Sequence, residues 1–359
     1  MSFVTPQFSR NDVNRAGRLL AAADSSQEDL LWATEVLANW RACHLYPINT
    51  FQATLRGRIE KIDRQAIVAQ RLKRAPSVVT KLQRFATMNL AQMQDIGGLR
   101  AIVSTVAQVR KLEKLYRDQN GLKHSLVSSK DYIDSPKTDG YRSTHLVFRY
   151  ISDVAPAYNG LHIELQIRTK MQHAWATAVE TMGTFLGQAL KSGQGETKWR
   201  EFFSVSSAAL AHLEQCPPVP GHEAASAEET YSAVATAEEE LGVLTKLQGF
   251  AIAANKIATD HRKGKYHLVI LDTEARSIRL MPFSEKRLSE ASAEYAKVEE
   301  RTLRGEQVEA VLVAAGPIDA LRKAYPNYFL DTHAFIGQIQ KVIDKAAGPV
   351  SRKQRPRRK

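Results

Sequence analysis

The sequence predicts an α/β (α+β) chain, and three observations carry that reading. Between about residues 90 and 190, short runs rich in β-branched and apolar residues alternate with helical spacings. A predominantly helical stretch precedes them, and a smaller mixture of strands and helices follows Gly264. With 359 residues, 43% hydrophobic and 25% charged, there is room for two domains of ordinary size and a sizeable core.

Taken in order, residues 11–42 place Leu19, Leu20, Leu30, Leu31, Val36, Leu37 and Trp40 at spacings near three and four, which predicts a packing helix pair. A second helical region is expected from about residue 51 to 85, interrupted near Ala75-Pro76, where proline removes a donor and biases its predecessor away from helix. Strands are expected at 98–106, 124–133, 142–151 and 161–169, with helices at 107–120 and 170–190. Residues 198–259 read as helical, broken by Cys216-Pro217-Pro218-Val219-Pro220-Gly221. Beyond Gly264, strands at 266–272, 277–282 and 308–314, a polar helix at 285–303 and a helical region at 318–346 make a smaller α+β module. The expected organisation is therefore N-terminal helices (1–44), a mixed-sheet domain (45–190), a helical connector (191–263), the C-terminal module (264–346) and a disordered tail (347–359) with six basic residues in its last eight.

No apolar stretch approaches the length of a membrane span and the N-terminus lacks a signal pattern, so a cytoplasmic chain with no membrane association is expected. Cys43 and Cys216 are too few for a disulfide framework or a zinc site and are expected to be ordinary thiols. Charge is unevenly spread: residues 41–180 hold 22 Lys and Arg against 11 Asp and Glu, a net +11 of the total +12. Such a segment suits nucleotide phosphates, RNA or an acidic surface, although a solvated basic face would look the same.

Four segments concentrate polar groups. Arg71, Lys73, Ser77 and Lys81 surround an expected helix start, where spare amides and cations favour phosphate; an exposed basic helix would share the pattern. Asp95 precedes Gly97-Gly98 and an apolar strand that includes Arg100. It is a candidate for Mg2+, or a turn-capping aspartate. Residues 130–145 bring Lys130, Lys137, Tyr141, Arg142 and His145, an aromatic ring among cations, as a base and its phosphates would require. In residues 162–169, Ile163, Leu165 and Ile167 alternate with His162, Glu164, Gln166 and Arg168, and Glu164 becomes a second carboxylate for metal binding or for deprotonating a hydroxyl.

In that order the motifs R-x-K-x(3)-S-x(3)-K, D-I-G-G-L-R, K-D-Y-I-x(2)-P-K-x(2)-G-Y-R-S-x-H and I-E-L-Q-I-R-T resemble the synthetase domain of the RelA/SpoT family over about residues 45–190. The resemblance implies a nucleotidyltransferase-like mixed sheet flanked by helices, and transfer of the β,γ-pyrophosphoryl group of ATP to the 3′-hydroxyl of GDP or GTP with Mg2+ as cofactor. It implies that Arg71 and Arg100 sandwich the adenine, and that Lys73, Ser77 and Lys81 hold phosphates. Asp95 and Glu164 would form the metal and catalytic pair, with Gln166 in support. Lys130, Lys137, Tyr141, Arg142 and His145 would line the acceptor side. His173 and Trp175 match more loosely.

Asp139 departs from the family, which has a small amide or hydroxyl residue before Gly-Tyr; its charge favours a different acceptor. The alternatives are a toxin-like enzyme that pyrophosphorylates the 3′ end of tRNA and a catalytically silent nucleotide- or RNA-binding module. No His-Asp dipeptide occurs, so the family's hydrolase domain is expected to be absent. The C-terminal module, with aromatics at Tyr325, Tyr328 and Phe329, would either support the fold, contact the synthetase domain or meet a protein partner.

Overall fold

A computed structural model describes residues 3–118, 121–186, 196–244, 247, 266–272, 277–304, 306, 308–314 and 333–348. The aromatic cluster at 325–329 and the basic tail lie outside the described residues. Contacts divide the chain into two units: residues 1–130, 145–167 and 261–324 form one, and residues 131–144, 168–260 and 325–359 the other.

The first unit begins with α1 (Arg10–Ala21) and α2 (Gln27–Cys43), each entered through a serine whose hydroxyl accepts from a first-turn amide: Ser9 from Asp12 and Ser26 from Asp29. Their inward stripes, Val13, Ala16 and Leu20 on one and Ala33, Val36, Leu37 and Trp40 on the other, share a core. Next come α3 (Leu45–Glu60), β1 (Ile67–Leu72) and α4 (Ala75–Arg84). Here the structure corrects the expected helical region at 51–85, because Ile67-Val68-Ala69-Gln70-Arg71-Leu72 forms a strand. Its short run has no helical periodicity of its own, and antiparallel pairing with β2 (Gly97–Val103), Ala69 opposite Arg100 and Arg71 opposite Gly98, satisfies the backbone groups on its inner edge.

Thereafter α5 (Val106–Arg117), β3 (Ser125–Asp131), β4 (Thr144–Arg149) and β5 (His162–Thr169) follow close to the expected positions. The result is a five-stranded mixed sheet in the order β1-β2-β5-β4-β3, flanked by helices. Helix α3 packs on β1 and β2, and α5 on β2. Phe51 of α3, Tyr116 of α5 and Phe148 of β4 meet with ring centroids 5.2–5.8 Å apart. Since neighbouring strand residues point to opposite faces, burying Phe148 leaves His145 on the other face, as burying Ile163 and Leu165 does for Glu164.

A second, three-stranded antiparallel sheet belongs to the same unit: β6 (Tyr266–Asp272) lies between β7 (Ser277–Phe283) and β8 (Val308–Ala314). Helix α9 (Leu288–Leu303) covers it through Ala291 and Val298 against Leu268, Ile270 and Phe283. β8 also packs against β1, and α9 against α4.

The other unit contains α6 (Lys170–Leu186), α7 (Thr197–Glu214), α8 (Ala227–Leu241) and α10 (His333–Ala346). Trp175, Val179, Phe202, Phe203, Val234 and Phe335 are among the residues of its core, so the last helix of the expected C-terminal module packs here. No helix among the described residues is long and apolar enough to cross a membrane. Cys43 and Cys216 are free thiols.

Ile163 is fully buried in β5, the central strand of the five. Ile163→Ala should therefore lower the unfolding free energy by about 2–5 kcal/mol in urea denaturation, and a loss well below that range would show that this position is not a packed centre.

Candidate active site

The turn from β1 into α4 sets the first group of side chains. The Lys73 amide donates to the Ile96 carbonyl at 2.8 Å, which ties the end of β1 to the approach of β2. Helix α4 then starts at Ala75 with Pro76 in its first turn and no acidic residue there. Ala75, Val78 and Leu82 face inward, leaving Ser77 and Lys81, one turn apart, on the half-exposed flank. Both ammonium groups reach one carboxylate: Lys73 Nζ lies 2.9 Å from Asp95 Oδ2 and Lys81 Nζ 2.9 Å from Asp95 Oδ1. Burial works to raise the Asp95 pKa, but the two lysine charges and their hydrogen bonds outweigh it and hold it below the ordinary 3.8. Burial also pulls the Lys73 pKa down, against the pull of Asp95.

Arg71 and Arg100 share a face of the sheet. In the β1–β2 pair, Arg71 stands opposite Gly98 and Arg100 opposite Ala69, so the two arginines are diagonal neighbours on one side. Gly98 leaves that side open: a Cβ there would meet nothing closer than the Glu164 carbonyl at 3.7 Å. Arg100 is buried, and its Nε and Nη1 have no hydrogen-bond partner. Unpaired donors beneath an open position are costly unless a ligand satisfies them.

Glu164 is held by its neighbours on β4 and β5. Its Oε1 lies 2.9 Å from His145 Nδ1, and its Oε2 accepts from Gln166 Nε2 at 2.9 Å. Burial acts to raise the Glu164 pKa and Asp95 adds to that, yet His145 and Gln166 prevail and the net shift is below the ordinary 4.5. Asp95 and Glu164 thus stand within electrostatic reach of each other. Among the described residues no group of three or more His, Cys, Asp or Glu is arranged to hold a metal. Two carboxylates nevertheless fit Mg2+, which is commonly held by one or two carboxylates together with substrate phosphates and water.

The remaining candidates lie mostly on the 131–144 loop of the other unit. Lys137 Nζ sits 4.7 Å from the Tyr132 ring centroid and 5.1 Å from that of Tyr141, and the two rings meet edge to face at 5.9 Å. Asp139 Oδ1 accepts from the Tyr141 amide at 2.9 Å, a local turn that gives its charge a structural use. Gly140 has φ +90°, and a Cβ there would come within 2.7 Å of Ser207 Cβ, so only glycine fits. Its carbonyl accepts from Ser207 Oγ at 2.6 Å. Arg142 is buried behind the loop, donating to Ser207 Oγ at 3.2 Å and pairing with Glu214 at 3.4 Å. His173 and Trp175 are buried as well, His173 against Arg168 and Trp175 through its Nε1 to the Phe203 carbonyl at 2.8 Å. Lys130 is exposed on β3, in the first unit.

Residues 70–183 match the model of the family described as "Region found in RelA / SpoT proteins". They are similar to that region, over about a third of the chain. The chain is 31% identical over 112 residues to GTP pyrophosphokinase YwaC of Bacillus subtilis, a match covering 30% of this chain and 52% of that protein. It is 31% identical over 112 residues to GTP pyrophosphokinase YjbM of the same organism, covering 31% and 52%. The chain spans about half the length of these curated relatives. Among solved structures it is similar to small alarmone synthetase 1 from Bacillus subtilis bound to its product pppGpp, with 24% identity, a TM-score of 0.41, and coverage of 48% of this chain and 89% of that one.

The thirteen residues given a site role from the sequence, and the looser matches His173 and Trp175, fall inside the matched residues 70–183. The structure brings Lys73, Lys81 and Asp95 together, and separately Glu164, His145 and Gln166. It turns Arg142 into the protein and sets His145 against Glu164. Tyr132 escaped the sequence reading as a site residue, although it lies in the same K-D-Y-I motif. Ser207 and Glu214 escaped it too, because α7 lies beyond the RelA/SpoT region and carries no chemical motif.

Asp95 and Glu164 both titrate lower in the folded protein than in the unfolded chain. Their contribution to stability is therefore complete above the ordinary values of 3.8 and 4.5 and is lost as pH falls through the lower folded values. Melting temperatures followed from about pH 5 to about pH 3 should fall less steeply for Asp95→Asn than for the wild type; parallel curves would mean that the lysine pair does not hold Asp95 ionised.

Proposed function

We propose that the chain is an ATP pyrophosphotransferase that moves the β,γ-pyrophosphoryl group of ATP to the 3′-hydroxyl of GDP or GTP. The observation that carries this reading is the Lys73–Asp95–Lys81 cluster, formed by the turn before α4 and the last turn of that helix, with Glu164 in electrostatic reach. Two ammonium groups aimed at one point form a receptor for a polyphosphate once it displaces the carboxylate between them. The named activity of the two Bacillus subtilis relatives supports the same reading.

In this reading Arg71 and Arg100 take the adenine on their shared face, and a ring gives the free Arg100 donors an environment of π density and nitrogen acceptors. Lys73, Ser77 and Lys81 bind the phosphates. Tyr141, with Tyr132 and Lys137 against it, stacks on the acceptor base, while Arg142 positions the loop from behind. The acceptor 3′-oxygen attacks the β-phosphorus, the bond from that phosphorus to the α,β-bridging oxygen breaks, and AMP leaves.

The hydroxyl proton goes to Glu164, which is ionised at neutral pH and can share it with His145. Its depressed pKa makes Glu164 a weak base, so most of the acceleration falls to alignment and charge neutralisation. Asp95 and Glu164 are the residues that would hold Mg2+, whose chemistry when bound is to neutralise phosphate charge.

ATP labelled in its γ-phosphate, offered with GDP, GTP, ATP or deacylated tRNA in separate reactions, should label a guanosine product. Asp95→Asn and Glu164→Gln should each abolish that product while keeping the fold. Label on tRNA alone would replace the acceptor, and label on nothing would favour a silent binding module. Tyr141→Ala should weaken the acceptor by about 1–3 kcal/mol, read as a raised acceptor KM with ATP KM unchanged. The reverse pattern would exchange the donor and acceptor assignments.

A further inference from the structure

Helix α9, outside the RelA/SpoT region, reaches the turn that carries Lys73. Arg41 of α2 donates from Nε to the Lys73 carbonyl at 2.8 Å and from Nη1 to Glu299 Oε2 at 3.3 Å, and its Nη2 bonds the Tyr295 hydroxyl. Glu299 Oε2 in turn accepts from the Ala75 amide at 2.9 Å. The carbonyl at one end of the 73–75 turn and the amide at the other are thus gripped by one buried ion pair. Ala75 opens α4, and Arg74 before it offers no side-chain cap, so the carboxylate from α9 serves as the missing cap.

Three features make this more than packing. Arg41 and Glu299 are 5% and 7% exposed, a depth at which an ion pair stabilises no better than apolar residues of the same volume and is better explained by the geometry it fixes. A cavity of about 370 Å³ opens beside the pair, lined by Leu37, Ala38, Val79 and Ala296 among others, so apolar packing of α9 is incomplete there and its hold on the turn is chiefly the polar tie. Finally, Lys73 and Lys81 both direct their ammonium groups to Asp95, not to Glu299, so the carboxylate of α9 does not quench the phosphate-facing charges.

We propose that Glu299, with Arg41 and Tyr295, is a positioning residue for the donor nucleotide: it fixes the 73–75 turn so that Lys73, Ser77 and Lys81 are presented to the ATP phosphates. This rests on ATP being the donor.

The test uses the full chain with Glu299→Gln, Glu299→Met and the double variant Arg41→Met/Glu299→Met, which removes both buried charges together and so preserves the fold. Amide hydrogen exchange is measured without nucleotide, alongside the melting temperature and the kinetic constants. Glu299→Met and the double variant should speed exchange at residues 73–78 and raise the ATP KM about tenfold, the effect of losing one charge-assisted hydrogen bond, with acceptor KM unchanged. Glu299→Gln keeps an oxygen for the Ala75 amide and should fall between them and the wild type.

Unchanged exchange at 73–78 in folded variants would overturn the proposal. So would tighter ATP binding, which would make α9 an obstruction, or equal losses in every constant that track melting temperature. A wild-type chain that turns over no ATP would instead overturn the functional reading, and the exchange data alone would then decide whether Glu299 sets the turn.

Discussion

Everything about the first unit's polar face depends on one carboxylate between two ammonium groups. Lys73 and Lys81 would repel each other without Asp95 between them, and Asp95 would pay the desolvation penalty of its site without them. The side chains involved remain 19–28% exposed, so water still reaches the cluster and softens the attraction. That intermediate depth suits an exchange of anions. On the proposed reading a polyphosphate would take over the lysines without the cost of breaking a fully buried ion pair, and the released carboxylate would be available to a cation arriving with it.

The sheet is what holds the three charges in register. Lys73 leaves β1 as Asp95 approaches β2, and the antiparallel pairing that sets Arg71 opposite Gly98 also fixes where those two turns lie. A slip of one residue would carry Arg71 and Arg100 to opposite faces and turn one of them into the layer covered by α3. The apolar alternation of Ile163 and Leu165 pins β5 in the same way and presents Glu164 on the uncovered face. Core packing and site geometry are therefore enforced by the same strand register.

That coupling explains what could be read from the sequence. Glu164 and Gln166 were legible because their strand alternates cleanly, and Ser77 with Lys81 because Pro76 marks a helix start. β1 was not, since Ile67-Val68-Ala69 satisfies either state until β2 arrives to pair with it. Alternation also misleads at the end of β5, where Arg168 breaks the pattern by being buried against His173. Asp139 looked like a charge aimed at an acceptor, but a short side chain next to Gly140 can serve its own backbone, and it caps the Tyr141 amide. Glu299 lay beyond any reading by motif: it meets Ala75 across 224 residues, and no local spacing encodes that contact.

The two units solve a similar problem with separate means. In one, a turn with no acidic residue and no side-chain cap is fixed by a carboxylate from α9; in the other, a loop with an obligatory glycine is fixed by Ser207 and Glu214 of α7. Both braces come from sequence that follows the RelA/SpoT region. On the proposed reading the matched region supplies the groups that would face a ligand, each of which needs an ordered backbone to hold its direction. Backbone order of that kind is only partly supplied within the motifs, and Lys73 or Tyr141 on a free turn would sample many orientations. The contacts from α7 and α9 add to the ties within the region, from the Lys73 amide to the Ile96 carbonyl and from the Tyr141 amide to Asp139.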